Sequence, residues 1–183
     1  MTLGNLTKAS LLLEIGTEEL PASFLSNGAK QLYKNITDFL SNNRIEHGDG
    51  VYYYTPKRLS VLIHDVAFQQ PTQVIEIQGP PLKFSFNEKG EPTQVTYGFL
   101  KTHNASIKDV YTKKTDKGEY LYLKKKTPGK NIFELLKENF KQIVLSIEFP
   151  KVMRWDINRN LVFVRPIRWL TVIYGDRLVP VTL

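Results

Sequence analysis

The sequence of 183 residues contains no cysteine. Without thiols the chain cannot form a disulfide framework, a cysteine-ligated zinc finger or an iron–sulfur cluster, and it has no thiol nucleophile. The same absence removes the usual indication of a reducing or oxidising compartment. Thiol chemistry is therefore excluded from any function of this chain.

Long apolar runs and the common catalytic fingerprints are also missing. No segment approaches the roughly 18 apolar residues of a membrane-spanning helix, so none is predicted. Met1–Ser10 has one lysine and no apolar core, which is not typical of a secretory signal. The G-x-S-x-G, P-loop and G-x-G-x-x-G patterns do not occur, and this excludes the corresponding hydrolase, phosphate-binding and dinucleotide-binding signatures.

Histidine is scarce, and the three that occur, His47, His64 and His103, have no ligand-type partner three or four residues away. A metal site needs clustered nitrogen, oxygen or sulfur ligands, so we expect none. Three acidic residues near the N-terminus raise a different question. Glu14, Glu18 and Glu19 could form an acid–base pair, but a strand end followed by the positive end of a helix dipole explains them more simply.

The chain is basic: 25 lysine and arginine residues face 18 acidic ones, giving a net charge of +7 and a pI near 9.5. Such a surplus favours a polyanionic partner, although +7 over this length is a modest bias.

Hydrophobic periodicity predicts alternating hairpins and helices. Leu25, Ala29, Leu32, Ile36 and Leu40 recur at helical spacing after Pro21, and a second apolar stripe covers Ile132–Ile147. We predict a helix that begins at Pro92, loop segments at Gln69–Thr72 and Gln78–Pro81, and strands at Ser10–Gly16, Val51–Tyr54, Leu59–Val66, Val110–Lys114, Glu119–Lys125, Leu161–Val164, Arg168–Tyr174 and Leu178–Leu183.

This order of elements favours an α+β fold with mixed or antiparallel sheets, hairpins and two to three amphipathic helices over a doubly wound parallel sheet. We place the division between an N-terminal β-α-β-β unit and a second α+β unit at residues 1–70 and 71–183. Because the chain stops within a predicted strand, we expect it to be part of a longer protein.

Basic residues beside proline and tryptophan are the most informative motifs. Lys57 and Arg58 lie at a proline-containing corner between strands. Lys151 and Arg154 precede Trp155, while Arg165 and Arg168 precede Trp169. Arginine and tryptophan together can contact phosphates and stack on unpaired bases. The alternative is that both tryptophans fill the core and the arginines cover aromatic faces or pair with carboxylates.

The same motifs occur in one order along nearly the whole chain. They are Leu12–Pro21, Thr55–Leu59, Gln78–Pro81, Pro92-Thr93, Gly98-Phe99, Lys117–Leu121, Phe149–Trp155 and Phe163–Leu170. In this order they resemble the N-terminal part of the beta subunit of bacterial glycyl-tRNA synthetase. One departure is Lys57, where the family pattern has arginine. Lysine keeps the positive charge but lacks the guanidinium group that can donate two parallel hydrogen bonds to one phosphate.

The resemblance implies a non-catalytic portion of glycine–tRNA ligase, a cytoplasmic heterotetramer of two alpha and two beta subunits. ATP, with Mg, and glycine would react on the alpha subunit, so no catalytic, cofactor-binding or metal-binding residue is expected here. The implied partners are the alpha subunit, the rest of beta and tRNA-Gly, with no membrane. The candidate tRNA-binding residues are Lys57, Arg58, Lys151, Arg154, Arg165 and Arg168; a structural scaffold without RNA contact is the alternative.

Overall fold

The computed structural model of the chain describes residues 7–87, 89–116, 118–155 and 161–183. The helices are α1 (Ala22–Asn42), α2 (Leu82–Ser85), α3 (Gln94–His103) and α4 (Ile132–Leu145). The strands are β1 (Lys8–Thr17), β2 (Gly50–Thr55), β3 (Arg58–Ala67), β4 (Gln73–Pro81), β5 (Val110–Thr115), β6 (Gly118–Thr127), β7 (Met153–Arg154), β8 (Val162–Phe163), β9 (Ile167–Tyr174) and β10 (Arg177–Leu178). All strand pairs among them are antiparallel, which confirms the α+β prediction.

Among the described helices, none has the length and apolarity to cross a membrane.

The chain forms two compact units, which the sequence divided differently. Unit 1 combines Met1–Pro71 with Lys130–Leu183, and unit 2 is the intervening Thr72–Gly129. The expected boundary near residue 70 coincides with the start of unit 2, but the chain returns to unit 1 at Lys130 instead of continuing to residue 183 as one unit. The reason is pairing between distant segments, because β9 hydrogen-bonds to β1 and α4 packs with α1.

Unit 1 is built on a five-stranded sheet in the order β10-β9-β1-β3-β2. Since side chains alternate between the faces of a strand, β1 directs Leu11, Leu13 and Ile15 to one face, where each is fully buried. Glu14 lies on the opposite face, in register with Ser60 on one side and Thr171 on the other. One face of this sheet therefore belongs to the core, and the other carries Glu14, Ser60 and Thr171 beside the half-buried Leu12, Leu62 and Ile173.

Helices α1 and α4 supply the rest of this core. The predicted apolar stripes of both are confirmed: their buried residues are Leu25, Ala29, Leu32, Ile36 and Leu40 in α1, and Ile132, Leu135, Leu136, Phe140, Ile143 and Val144 in α4. Tyr174 of β9 is buried between Phe68 and Phe133 and donates its hydroxyl hydrogen bond to the Val66 carbonyl at 2.8 Å. Burial raises the pKa of Tyr174, so this phenol stays neutral and donates at physiological pH.

Unit 2 is a three-stranded sheet in the order β4-β6-β5, with α3 packed on β4. Leu121 and Leu123 of β6 and Leu100 of α3 are buried. The hairpin predicted between β5 and β6 is confirmed, although Lys117 of its turn lies outside the described residues.

Two segments depart from the predicted secondary structure because of proline. Gln78–Pro81, expected as a loop, forms the end of β4, and this is possible because β4 is an edge strand that needs no donor from proline on its open side. Conversely, the strand predicted over Leu178–Leu183 is wrong beyond Leu178. Val179 still donates to the Val172 carbonyl at 2.8 Å, but Pro180 has no N–H with which to continue the ladder.

Short pairing also limits the segment predicted as Leu161–Val164. Within the described part of the chain, only Val162–Phe163 is a strand there, and β8 pairs with β7 in a two-stranded ribbon separate from the larger sheets.

A close approach occurs where β1 lies beside β9. Gly16 is in register with Trp169, and the indole lies directly over it: a Cβ on Gly16 would be 1.9 Å from Trp169 Cε2. Glycine is therefore required at this position by packing, because the ring occupies the space of a side chain.

Replacement of Asn131 tests the start of α4. Its side chain accepts a hydrogen bond from the Glu134 amide at 3.0 Å, and the Glu134 side chain bonds back to the Asn131 amide. Asn131→Ala should lower the free energy of unfolding by about 1 kcal/mol, measured by urea titration, because one amide of the first turn loses its acceptor. Asn131→Asp retains the acceptor and should stay close to the parent; equal losses in both variants would contradict the capping role.

Gly16→Ala tests the packing of Trp169. The added methyl should displace the indole and lower the free energy of unfolding by about 1–3 kcal/mol. In a Trp169→Ala background the same substitution should cost far less, because the obstructing ring is gone. Gly98→Ala, whose Cβ would meet nothing within 4 Å in α3, is the control and should be neutral or stabilising. Additive losses in the Gly16–Trp169 double mutant would refute the proposed clash.

Candidate nucleic-acid interface

Three chain segments meet at one end of the five-stranded sheet, and we call this region the sheet-end corner. It comprises the β2–β3 turn Thr55–Arg58, the residues Thr17–Leu20 after β1, and Arg165–Trp169 before and within β9. Backbone hydrogen bonds fasten them together: Thr17 N to Lys57 O at 2.9 Å, Leu20 N to Pro56 O at 2.7 Å, and Glu18 N to Pro166 O at 3.0 Å. The corner is thus held by main-chain atoms, and its cationic side chains are attached to a fixed backbone.

Arg58 belongs to a network on the polar face of the sheet. Its guanidinium carbon lies 5.5 Å from the ring centre of Trp169, and one of its nitrogens is 3.8 Å from the Glu14 carboxylate. Glu14 also accepts hydrogen bonds from the Trp169 indole at 2.9 Å and the Ser60 hydroxyl at 3.2 Å. Most of the Glu14 side chain is covered, with 21% exposed. Arg58 therefore balances a largely covered carboxylate while retaining an exposed edge.

The other two arginines of the corner have partners as well. Arg165 is half-buried, and its guanidinium donates to the Glu19 carbonyl at 3.2 Å and to the Val164 carbonyl at 3.4 Å. Arg168 is exposed and forms an ion pair of 3.3 Å with Glu18. Because both members of the Arg168 pair are solvated, a phosphate could compete for this guanidinium at little cost.

Lys57 differs from these arginines. It lies at the exposed tip of the turn, and its carbonyl, rather than its ammonium, makes the structural hydrogen bond to Thr17. Within the described residues, no carboxylate forms an ion pair with Lys57. The ammonium is therefore available to an external anion.

Lys151 and Arg154 lie elsewhere in unit 1, on and just before the β7–β8 ribbon. Both are exposed, and neither makes an ion pair within the ranges that the structure describes. Trp155 fastens the ribbon, since its indole donates to the Phe163 carbonyl at 2.9 Å and its amide donates to Leu161 at 3.0 Å. The six candidate residues thus form two groups, four in the corner and two on the ribbon.

The tryptophans do not fill the core, which corrects one part of the alternative drawn from the sequence. Trp155 is 37% exposed and Trp169 is 38% exposed. Their indole N–H groups need acceptors, which they find at the edge of the fold. The other part holds for Arg168, which pairs with Glu18, and Arg58 likewise lies over the Trp169 ring and pairs with Glu14. Arg165 bonds to backbone carbonyls instead, and Arg154 makes no ion pair within the described residues.

The acidic residues near the N-terminus are likewise engaged with these cations. Neither Glu18 nor Glu19 lies in the first turn of α1, which begins at Ala22, so the expected pairing with the helix dipole is wrong. Pro21 turns the chain before the helix, and this leaves Glu18 beside Arg168 and the Glu19 carbonyl beside Arg165. In the described parts of the chain, no group of three or more metal-ligating side chains occurs.

Sequence reasoning did not find the Glu14–Trp169 bond, which joins residues 155 positions apart. The available signal was Gly16, because an isolated glycine within a strand pattern indicates the close approach of another group. Which group approaches depends on the β1–β9 register, and that register cannot be read from either segment alone.

Comparison with known proteins places this chain in a family. The chain is 40% identical over 170 residues to the glycine–tRNA ligase beta subunit of Syntrophus aciditrophicus, covering 93% of this chain and 24% of that protein. It is 37% identical over 175 residues to the corresponding subunit of Bacillus subtilis, covering 96% of this chain and 26% of that protein. A chloroplastic/mitochondrial glycine–tRNA ligase of Arabidopsis thaliana is 36% identical over 171 residues, 93% of this chain and 16% of that protein.

The chain therefore spans about a quarter of the length of the bacterial relatives that it matches. The family model described as glycyl-tRNA synthetase beta subunit matches residues 11–183, which is nearly all of the sequence. This confirms the resemblance inferred from the ordered motifs: the chain belongs to the glycyl-tRNA synthetase beta subunit family.

Proposed function

We propose that this chain supplies tRNA contacts to glycine–tRNA ligase, meeting the phosphates of tRNA-Gly with its exposed cations. The observation that carries the proposal is the position of Lys57, an exposed ammonium on a turn fixed by main-chain hydrogen bonds, in the same sheet-end corner as the solvated guanidinium of Arg168. Such contacts position a nucleic acid without reading its sequence.

Lys151 and Arg154 form a second group of exposed cations in unit 1. Their exposure, together with the partly exposed indole of Trp155, gives the cationic and aromatic combination that RNA-binding surfaces use. Lysine at position 57 is sufficient for this role, because a single phosphate oxygen needs a charge and not a bidentate fork.

The proposal assigns no bond-making step to this chain. Charging of tRNA-Gly with glycine at the expense of ATP, with Mg, would take place on an alpha subunit that assembles with beta in a cytoplasmic heterotetramer. The contribution of this chain is then to hold the tRNA, so that the acceptor end reaches a site on another polypeptide.

Lys57→Ala/Lys151→Ala should weaken binding of labelled tRNA-Gly to the 183-residue chain, measured by fluorescence anisotropy across a salt series. Each lost phosphate contact lowers the slope of log affinity against log salt by roughly 0.7–0.9, so the slope should fall by about 1.4–1.8. The affinity at low salt should fall about tenfold.

The matched control is Lys30→Ala/Lys137→Ala, which removes the same charge from exposed positions on α1 and α4. It should leave the slope unchanged and alter the affinity less than twofold. An equal loss in both double variants would show that only net charge matters, and absence of tRNA binding by the parent chain would refute the proposal.

A structural scaffold is the second candidate function, and the contacts of Arg165 favour it for that residue. Its guanidinium joins the segment before β9 to the segment after β1 through the Glu19 carbonyl, and it is half-buried. A hydrogen bond from a charged donor is stronger than one between neutral groups, and this one joins segments 146 positions apart in the chain.

Arg165→Ala should therefore lower the free energy of unfolding by about 1–2 kcal/mol, measured by urea titration, because the Glu19 carbonyl loses its donor. The affinity of the folded variant for tRNA-Gly should stay within twofold of the parent. Lys57→Ala, which removes no internal contact of the side chain, should leave stability unchanged. A stable Arg165→Ala variant with weakened tRNA binding would instead assign Arg165 to the phosphate contacts.

A further inference from the structure

Unit 2 contains a concave basic surface that the sequence motifs did not indicate. A cavity of about 750 Å³ lies where α3 ends and β5 begins, beside the last residues of β6. We call it the lysine groove. Its lining residues are Val74, His103, Asn104, Ala105, Lys108, Asp109, Val110, Tyr111, Leu123, Lys124, Lys125 and Lys126.

The charge of the groove is strongly positive. Four lysines line it against one acidic residue, Asp109, and the Asp109 carboxylate already accepts a hydrogen bond from the Ser106 amide at 2.9 Å. Unit 2 as a whole carries ten lysines, no arginine and six acidic residues, so it holds four of the seven surplus positive charges in less than a third of the chain. The groove is where this surplus is concentrated.

The strand geometry explains how three consecutive lysines reach one concavity. Lys124 and Lys126 project from one face of β6 and Lys125 from the other, because side chains alternate along a strand. Lys125 bends to the end of α3, where its ammonium donates to the His103 carbonyl at 3.2 Å.

An aromatic ring lies within this positive field. The ammonium of Lys124 is 4.8 Å from the ring centre of Tyr111, whose own ring is 6.0 Å from that of Tyr122. The nearby Glu76 carboxylate raises the pKa of Tyr111, so the phenol is neutral at physiological pH and adds no negative charge to the groove. Glu76 itself is paired with Lys113 at 2.8 Å.

The hydroxyl oxygen of Tyr111 is buried and, among the described residues, makes no hydrogen bond of good geometry. The polar end of the ring is thus buried, and the ammonium of Lys124 lies over its face. A planar group arriving from solvent would meet the ring face and not the hydroxyl.

We propose that the lysine groove binds a single-stranded, unpaired segment of RNA. Its phosphates would be held by Lys124, Lys126 and Lys108, and one base would stack on Tyr111 as the flexible Lys124 side chain moves from the ring to a phosphate. Lysines bind phosphates as point charges, and aromatic faces accept any base. A cavity of this volume holds one or two splayed nucleotides, whereas an intact duplex is too wide to enter it. All residues of this site belong to unit 2, and the proposal does not depend on the sheet-end corner of unit 1.

The test uses a labelled single-stranded 12-nucleotide oligouridine and the 183-residue chain, with affinity measured by fluorescence anisotropy. Lys124→Ala/Lys126→Ala should weaken binding at least tenfold at low salt and lower the salt slope by about 1.4, from two lost phosphates. Lys89→Ala/Lys101→Ala removes the same charge from exposed positions of unit 2 outside the groove and should change affinity less than twofold. An equal loss of oligouridine affinity in the two double variants would refute the lysine groove as the binding site.

Substitution of the aromatic residue separates stacking from charge. Tyr111→Phe should bind as the parent does, and Tyr111→Leu should bind about five- to twentyfold more weakly, with circular dichroism confirming that both are folded. Equal binding by Tyr111→Leu would overturn the stacking contact.

Competition identifies the ligand. Unlabelled oligouridine should displace the probe at far lower concentration than a duplex RNA of equal phosphate content or heparin. If heparin competes as well as oligouridine, the groove binds polyanions in general and the proposal of an RNA site is refuted. If the duplex competes better than oligouridine, the proposal that the groove binds single-stranded RNA is refuted. Lys57→Ala should leave oligouridine binding unchanged, so failure of the corner proposal and failure of this one give different results.

Discussion

The central position of β1 is the constraint on which unit 1 depends. This strand is hydrogen-bonded to β3 on one side and to β9 on the other, and β9 follows it by about 150 residues in the chain. One face of β1 anchors the apolar core through Leu11, Leu13 and Ile15, and the other carries Glu14 and Gly16 to the polar network. The same strand therefore contributes to both the apolar core and the sheet-end corner.

The cations of the chain divide into those committed to the fold and those open to solvent. Arg58 and Arg165 complete internal contacts with Glu14 and the Glu19 carbonyl, and these contacts leave them little freedom. Lys57 is exposed on a rigid turn, and the groove lysines line a cavity whose single acid is already bonded. The difference follows burial and internal partners and not residue type, since Arg154 and Arg168 are also exposed.

Local patterns predicted the elements that are long and periodic. The apolar spacing of α1 and α4, the hairpin of β2 and β3, and the hairpin of β5 and β6 all follow from short-range signals. Two of the errors lie at prolines, where Gln78–Pro81 extends an edge strand and Pro180 ends the final one. Whether proline interrupts a strand depends on which neighbour the strand has, and a local window does not contain that information.

The sequence by itself determined the family, the α+β class and the basic character, because ordered motifs, periodicity and composition are properties of the chain alone. The tertiary structure decided the rest: that Lys130 returns the chain to unit 1, that Trp169 covers Gly16 and bonds to Glu14, and that lysines from β6 meet Tyr111 across a cavity. The first two depend on contacts between segments far apart in sequence, and the cavity depends on where α3 ends beside the β5–β6 hairpin. The register of the distant segments is set by the packing of whole faces, and no single segment encodes it.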